Sequence, residues 1–191
     1  MGRVEIRVVD PLCADVLALL RAAALEARAL YPDLIDAASP LPTNAPHAPG
    51  CVYLVAYDGA QPVGMGALRP VPADGGDVPA DATAEVRRMF VSEVVRRRGV
   101  GARVLAALET HAAAMGYCRL LLETGNRQVA AIALYRRAGY RQIAPFGPHV
   151  GDPTSVCFEK RLVAPGACGT AGTPGPDRGD PQDDATGRGR P

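Results

Sequence analysis

Apolar residues recur along this chain with the period of a strand in some segments and the period of a helix in others. An unbroken run of leucines at 120–122 is typical of a strand that is covered on both faces. The order β-α-β-β-β-α-β-α-β-β predicts an α/β protein (α+β mixed sheet) with a central mixed sheet flanked by helices. The predicted elements are strand 4–9, helix 15–30, strands 51–57, 61–68 and 85–91, helix 99–115, strand 119–123, helix 128–138, and strands 140–143 and 155–160.

The first predicted helix is rich in Ala and Leu, which are good helix formers. We expect Leu17, Leu20, Ala24 and Leu25 to form its buried stripe. The segment that follows this helix, 37–50, contains four prolines and predicts a long loop, which in a compact domain is often a binding wall.

The chain changes character after residue 163. Of residues 164–191, 12 of 28 are Gly or Pro, and none is Val, Ile, Leu, Phe or Met. Such a segment cannot bury enough apolar surface to offset the entropy of ordering. We therefore expect one domain at 1–163 and a disordered Gly/Pro-rich tail at 164–191.

Composition excludes several classes of protein. The 21 basic and 20 acidic residues leave a net charge of +1, which disfavours a nucleic-acid binder and an acidic disordered chain. No apolar run approaches the roughly 18–20 residues of a membrane helix, and the first ten residues lack the apolar segment of a secretory signal. Five widely spaced cysteines and three scattered histidines indicate neither a disulfide framework nor a metal site. These features favour a cytoplasmic protein without a metal.

The segment Arg96–Ala102 (RRRGVGA) follows a predicted strand and opens a predicted helix. A helix start presents unpaired backbone N–H groups and the positive end of the helix dipole, and glycines allow a ligand to approach the backbone closely. These properties suit a pyrophosphate. The alternative is a capped helix start with a solvated basic turn. A Walker loop is excluded because the Gly-Lys-Ser/Thr ending is missing, and a dinucleotide-binding fingerprint because the third glycine is missing.

Two spaced motifs together resemble the GCN5-related N-acetyltransferase (GNAT) family. Arg96–Ala102 is similar to the R-x-x-G-x-G/A acetyl-CoA loop of that family, and Ala131–Tyr140 is similar to its A-x-x-L-Y-x-x-x-G-F/Y signature. The resemblance covers residues 82–161 and implies a GNAT-like acyl-CoA N-acyltransferase fold with acetyl-CoA as co-substrate. It implies that the main chain of one central strand pairs with the pantetheine arm of acetyl-CoA. The cofactor-binding residues implied by it are Met89, Phe90, Val91, Arg96, Arg97, Arg98, Gly99, Val100, Gly101 and Ala102.

The resemblance also implies catalytic roles for two side chains. Tyr135 matches the family tyrosine that protonates the departing CoA thiolate. Glu85 lies where several members place a general base, which would remove a proton from an ammonium group whose pKa is about 10. The alternative for Glu85 is an ion pair with a neighbouring arginine, and a water chain would then carry the proton.

The chain departs from the family pattern seven residues before the tyrosine, where many members carry an asparagine that contacts CoA. Gln128 occupies that position and offers the same amide on a longer arm, and Asn126 lies close enough in sequence to substitute. The loop residue His149 is a further candidate, either for the acceptor pocket or as a solvent-exposed histidine.

The strand that contains Glu85 is unusually charged. Strand alternation places Glu85 and Arg87 on one face and Arg88 on the other, unless a bulge intervenes. A buried Arg87 needs an anion, either an internal carboxylate such as Glu123 or the carboxylate of a substrate.

These observations predict an N-acetyltransferase that moves the acetyl group of acetyl-CoA by direct transfer to a primary amine of a small molecule, such as an amino acid or a similar carboxylate-bearing amine. The alternatives are a protein lysine or N-terminal acetyltransferase and a non-catalytic acyl-CoA sensor. We expect a small-molecule acceptor and neither a nucleic acid nor a membrane as partner. The sequence leaves monomer and homodimer open.

Overall fold

The fold is known from a computed structural model that describes residues 4–36, 38–71 and 82–162. The predicted elements are all present, in the predicted order and with ends within two residues or so of those expected. The strands are β1 (Glu5–Val8), β2 (Val52–Asp58), β3 (Gln61–Pro70), β4 (Thr83–Val91), β5 (Arg119–Gly125), β6 (Arg141–Ile143) and β7 (Ser155–Arg161). The helices are α1 (Ala14–Leu30), α2 (Val100–Ala114) and α3 (Val129–Arg137).

The seven strands form one mixed sheet in the order β1-β2-β3-β4-β5-β7-β6. The central pair, β4 and β5, is parallel, and the other neighbouring pairs are antiparallel. Helix α2 makes the crossover between the two parallel strands, as a parallel connection requires. The predicted mixed sheet with flanking helices is therefore confirmed.

Helices cover both faces of the sheet. On one face, α2 and α3 pack on the sheet through residues such as Val104, Leu108 and Tyr135. On the other face, α1 packs on β2 and β3 through Leu19 and Leu20. Each such side chain contributes about 1.5–3 kcal/mol when it is fully buried.

The stripe predicted for α1 is partly wrong. Leu20 is buried, but Leu17 and Leu25 are 41% and 50% exposed, while Val16 and Leu19 are buried instead. The reason is that Ala and Leu occur on every side of this helix, so the apolar pattern did not define its rotation.

Strand β4 contains a bulge at Arg88. Ala67 of β3 pairs with Arg87 while Met65 pairs with Phe90, so three residue steps of β4 oppose two of β3. Arg88 has a φ of +57°, which is uncommon for a bulky residue. The alternation that would place Arg88 on the face opposite Arg87 was expected only without a bulge, and the bulge at this residue breaks it.

The side chain of Arg88 ties β4 to the proline-rich loop. Its Nε donates to Asn44 Oδ1 at 3.2 Å, and its Nη2 donates to the Thr43 carbonyl at 3.1 Å. Asn44 is buried and donates in turn to the Pro11 carbonyl at 3.0 Å. Burial and the neighbouring Arg87 charge lower the pKa of Arg88. These bonds fix the loop predicted at 37–50 beside β4.

The tail predicted at 164–191 lies outside the described residues. Of the three helices in the described ranges, none is long and apolar enough to cross a membrane.

Candidate active site

The two parallel strands separate halfway along β4. Their pairing runs from Thr83 with Arg119 to Val86 with Leu122, and the register ends there. A cleft of about 290 Å³ opens at this point. Its lining includes Leu20, Ala23, Ala24, Pro42, Met65, Glu85, Arg87, Met89, Glu123, Gln128, Tyr135 and His149.

The three β4 residues that follow the bulge, Met89, Phe90 and Val91, border this gap. The amide of Ser92 donates to the Val63 carbonyl of β3 at 2.8 Å. Because main-chain groups alternate along a strand, Val91 and Met89 present theirs to the gap and Phe90 presents its own to β3. The Val91 carbonyl accepts a hydrogen bond of 3.1 Å from Arg96 Nε.

The turn before α2 is shaped by two left-handed residues. Arg97 has a φ of +62° and Gly99 a φ of +78°. A Cβ atom built on Gly99 would meet nothing within 4 Å, so the turn is open on that side. Helix α2 begins at Val100. The amides of its first turn, including Gly101 and Ala102, point out of the helix without intrahelical acceptors.

This turn lies beside the gap between β4 and α3. A Cβ atom built on Gly101 would lie 3.4 Å from both Val91 of β4 and Leu134 of α3. An open row of amides at a helix start, next to the point where the central strands part, fits the pyrophosphate of acetyl-CoA.

The three arginines of the turn have different surroundings. Arg96 pairs with Glu26 of α1, and Arg98 pairs with Asp58 at 3.1 Å. Arg97 is exposed and has no hydrogen bond or ion pair to any residue in the described ranges. Of the three, Arg97 is therefore best placed to attract an anion in solution.

Glu85 lies in an ion-pair cluster on the cleft side of β4. Its carboxyl group is buried, Oε2 accepts a hydrogen bond from Arg69 Nε at 2.8 Å, and Arg69 Nη2 forms an ion pair with the same oxygen at 2.7 Å. Arg87 Nε is 3.8 Å from Oε1. The geometry matches the ion-pair alternative, although the arginine in closest contact is Arg69 rather than the neighbouring one. A role as general base stays a prediction.

Tyr135 of α3 is buried at the cleft wall. It is 4% exposed, and its ring lies 5.9 Å from that of Tyr140 and 6.0 Å from that of Phe158. Burial, with a smaller effect from the Glu123 carboxylate, raises the pKa of Tyr135 above its usual value. The phenol therefore keeps its proton at neutral pH and can donate it.

The two amide candidates on the turn between β5 and α3 differ in position. Gln128 lines the cleft, whereas Asn126 Oδ1 lies 3.4 Å from the Tyr31 hydroxyl at the end of α1. That hydroxyl accepts a hydrogen bond of 2.8 Å from the Arg127 amide. Tyr31 packs so closely on Gly125 that any side chain there would collide with its ring. The Tyr31 contacts fasten α1 to the β5–α3 turn, and of the two amides only Gln128 lines the cleft.

His149 belongs to a short turn between β6 and β7 and is half-buried at the cleft. Its ring stacks edge-on against Phe146 at 5.6 Å. The fold thus brings this loop residue beside the charged residues of β4 and β5.

Sequence reasoning missed one part of the cleft. Glu123 Oε1 accepts a hydrogen bond of 3.0 Å from Ser155 Oγ, and Ser155 Oγ lies 3.1 Å from Asp152 Oδ2. The sequence suggests Glu123 only as an anion for Arg87 and indicates no role for Ser155 or Asp152. The segments are separated by about 30 residues, and no local pattern signals that β5 and β7 pair at Gly125 and Ser155.

Comparisons with known proteins agree with this geometry. Residues 18–140 match the acetyltransferase (GNAT) family. The chain is 41% identical over 114 residues to an IAA acetyltransferase of Azospirillum brasilense, covering 60% of this chain and 70% of that one. It is 32% identical over 116 residues to the uncharacterized N-acetyltransferase YsnE of Bacillus subtilis, covering 60% of this chain and 72% of that one.

Solved structures share the fold. A candidate acyl-CoA N-acyltransferase of Klebsiella pneumoniae superposes with a TM-score of 0.65 at 32% identity, covering 84% of this chain and 98% of that one. A GNAT acetyltransferase of Elizabethkingia anophelis, solved with acetyl-CoA bound, superposes with a TM-score of 0.57 at 16% identity, covering 85% and 100%. The family match spans most of the chain, and the turn, the separated strands and the buried tyrosine lie within it. This chain belongs to the GNAT family and is an acetyl-CoA-dependent N-acetyltransferase.

Proposed function

We propose that this enzyme transfers the acetyl group of acetyl-CoA directly to the primary amine of a small molecule that also carries a carboxylate. The observation that carries the proposal is the partly unpaired guanidinium of Arg87 in the same cleft as Tyr135. Arg87 is 35% exposed, and its contact with Glu85 Oε1 is 3.8 Å long. That contact leaves the two terminal nitrogens of Arg87 for a carboxylate, which suits the fork of a guanidinium.

The end of the cleft near α2 would hold acetyl-CoA. The open amides at Val100–Ala102 and the exposed Arg97 suit its diphosphate, and the Gln128 amide suits the pantetheine arm. When bound there, acetyl-CoA supplies an activated acetyl group. The main-chain amides of β4 that face the gap can hydrogen-bond the thioester carbonyl as negative charge develops on its oxygen.

Tyr135 would donate the proton that the leaving group needs. A thiol has an ordinary pKa of about 8.5 and a tyrosine one of about 10. Because burial raises the pKa of Tyr135, its hydroxyl remains protonated until the thiolate forms. Direct transfer is favoured because Tyr135 and the acceptor side chains line one cleft, and the proposed cofactor turn lies beside the gap between β4 and α3.

Glu85 would position the arginine side chains that bind the acceptor. One oxygen of its carboxylate accepts a hydrogen bond from Arg69 Nε and forms an ion pair with Arg69 Nη2, and the other oxygen lies 3.8 Å from Arg87 Nε. The cluster has two positive charges and one negative charge, so it favours one additional anion. The modest cleft volume suits a small molecule rather than an extended peptide.

The test measures the release of free thiol from acetyl-CoA with a panel of amines. Each carboxylate-bearing amine is paired with an analogue that lacks the carboxylate. We expect turnover with the carboxylate-bearing amines and a kcat/KM at least about tenfold lower for the analogues, since each lost charged hydrogen bond costs about 1.5–3 kcal/mol. Arg87→Gln should remove most of that discrimination by raising KM.

Arg21→Gln is the matched control, because Arg21 is exposed on α1 outside the cleft lining. Equal turnover of both members of each pair by the wild-type enzyme would exclude carboxylate recognition. Turnover of a lysine-containing peptide above that of every small amine would instead favour a protein acetyltransferase.

A further inference from the structure

The hydroxyl of Ser155 lies between two carboxylates. Its Oγ is 3.0 Å from Glu123 Oε1 and 3.1 Å from Asp152 Oδ2. A serine hydroxyl has one hydrogen to donate, whereas an ionised carboxylate can only accept. When both acids are ionised, one of the two contacts therefore lacks a hydrogen.

One added proton resolves this conflict. A protonated Glu123 donates to Ser155 Oγ, and the Ser155 hydrogen then turns to Asp152. Both contacts become hydrogen bonds, and each oxygen has a suitable partner. Both contacts are therefore hydrogen bonds only when one of the two carboxyl groups is protonated.

Asp152 is the acid that stays ionised. Its Oδ1 accepts hydrogen bonds from the amide and the hydroxyl of Thr154, at 2.8 Å and 2.7 Å. These bonds, with a smaller one from Ser155 and the nearby His149, lower the pKa of Asp152. Asp152 is exposed, so a proton that reaches it passes readily to water.

Glu123 is the acid that faces the cleft. It is half-buried on β5, and its charge acts on Tyr135 from α3 and on Cys157 from β7. Other charged groups reach the same cleft from β4 and from the 147–149 turn. The titratable and charged residues around it are Glu85, Arg87, Arg88, Tyr135, His149 and Cys157.

From this hydrogen-bond count we propose that Glu123, Ser155 and Asp152 form a relay that carries the proton of the acceptor ammonium from the cleft to solvent. The ammonium gives its proton to Glu123 and becomes a neutral amine. Glu123 passes a proton to Ser155 Oγ as the Ser155 hydrogen moves to Asp152, and Asp152 releases a proton to water. No electron transfer is involved, and both carboxylates end ionised.

This inference rests on the proposed amine acetylation and assigns different roles to two glutamates. Glu85 has Arg69 on one oxygen, through a hydrogen bond and an ion-pair contact, and Arg87 near the other, so it serves as a charge partner. In contrast, no arginine or lysine in the described ranges forms a salt bridge with Glu123. Glu123 thus has the oxygen that is available to the amine.

The first experiment compares Glu123→Gln with Glu85→Gln in the full chain, with the amine that the wild type uses best. Glu123→Gln should lower kcat/KM at pH 7 by about 10²-fold, as loss of a general base does, and should recover as the pH approaches the amine pKa of about 9–10. Glu85→Gln should mainly raise the acceptor KM, without recovery at high pH. Glu93→Gln, at an exposed site, is the control for loss of a carboxylate.

The second experiment needs no acceptor. The side-chain carboxyl of Glu123 is followed by NMR while the pH is lowered, in the wild type, Ser155→Ala and Asp152→Asn. If the relay exists, both variants lower the midpoint, the pH at which half of the Glu123 carboxyl groups are protonated. Ser155→Ala removes the oxygen that accepts the Glu123 proton, and Asp152→Asn removes the carboxylate that accepts the Ser155 hydrogen. If Ser155 instead donates to an ionised Glu123, Ser155→Ala shifts the midpoint to higher pH.

The outcomes separate the two proposals. A wild-type enzyme that acetylates no amine refutes the proposed function, and the midpoint shifts still decide the relay. Normal activity of Glu123→Gln at pH 7, or an upward shift in Ser155→Ala, overturns the relay. Ser155→Thr keeps the hydroxyl and should preserve both the midpoint and the rate within about twofold, whereas a merely structural Ser155 would tolerate Ala equally well.

Discussion

The two ends of the proposed site are built in different ways. The proposed cofactor end, at the turn before α2, relies on main-chain groups of one continuous segment, 96–102, and needs glycine and left-handed backbone more than any particular side chain. The proposed acceptor end relies on charged side chains from β3, β4, β5 and the loop before β7, such as Arg69, Glu85 and Glu123. Under this proposal the cofactor end depends on one backbone segment, whereas the acceptor end depends on side chains from several segments.

This contrast predicts that substitutions at the two ends have different kinetic signatures. A change in the helix-start turn should weaken the binding of acetyl-CoA and leave the preference among amines unchanged. A change among the charged side chains should alter the kinetic constants for the amine and leave the affinity for acetyl-CoA unchanged.

The largest effect is expected for Gly101→Glu in the turn. A Cβ at Gly101 makes contacts of 3.4 Å that the fold can accept, but the added carboxylate would lie among the amides intended for an anion. Acetyl-CoA affinity should fall by at least about 10²-fold, which removes the ligand-induced rise in melting temperature.

Gly101→Ala is the matched control for that variant and should retain the thermal shift. A melting temperature that still rises with acetyl-CoA in Gly101→Glu would contradict the pyrophosphate site and with it the contrast between the two ends.

A large but selective effect is expected for Tyr135→Phe, at the junction of the two ends. The phenylalanine keeps the ring contacts with Tyr140 and Phe158 but cannot protonate the thiolate. We expect kcat to fall by about 10²-fold with acetyl-CoA binding unchanged. Single-turnover kinetics and a binding measurement check this, and an equal loss of affinity and rate would indicate a packing role instead.

The smallest effect is expected for Tyr31→Phe, which removes the acceptor of the Arg127 amide without removing the ring. Loss of this part-buried hydrogen bond should lower the free energy of unfolding by about 1 kcal/mol, measured by urea denaturation. The amine KM should rise severalfold, because α1 and the β5–α3 turn border the cleft. Tyr117→Phe, whose hydroxyl bonds the Gly50 carbonyl outside the cleft lining, should lose similar stability with an unchanged KM.

The secondary structure was largely readable from the sequence because periodicity and turn residues act locally. The proline-rich segment 37–50 and the leucines of β5 are examples, since each depends on neighbours within a few residues. Helix α1 shows the limit. Its Ala and Leu residues occur on all sides, and only packing on β2 and β3 selects which of them are buried.

The bulge at Arg88 marks another limit. A run of charged residues in a strand gives no sign of an extra residue, so alternation predicts that Arg87 lies beside Glu85 but does not hold at Arg88. The positive φ of Arg88 is held by bonds to Asn44 and Thr43, more than 40 residues earlier in the chain. Such a partner cannot be found from local sequence.

By itself, the sequence determined the order of elements, the glycine-containing helix start that we propose as an anion site, and the tyrosine in its signature, because each is encoded in a few consecutive residues. Only the tertiary structure decided that Glu85 pairs with Arg69 and that Ser155 lies between Glu123 and Asp152. The physical reason is that the orientation and hydrogen bonds of a charged side chain depend on which strands become neighbours. Strand pairing is set by the packing of the whole sheet rather than by the residues adjacent in sequence.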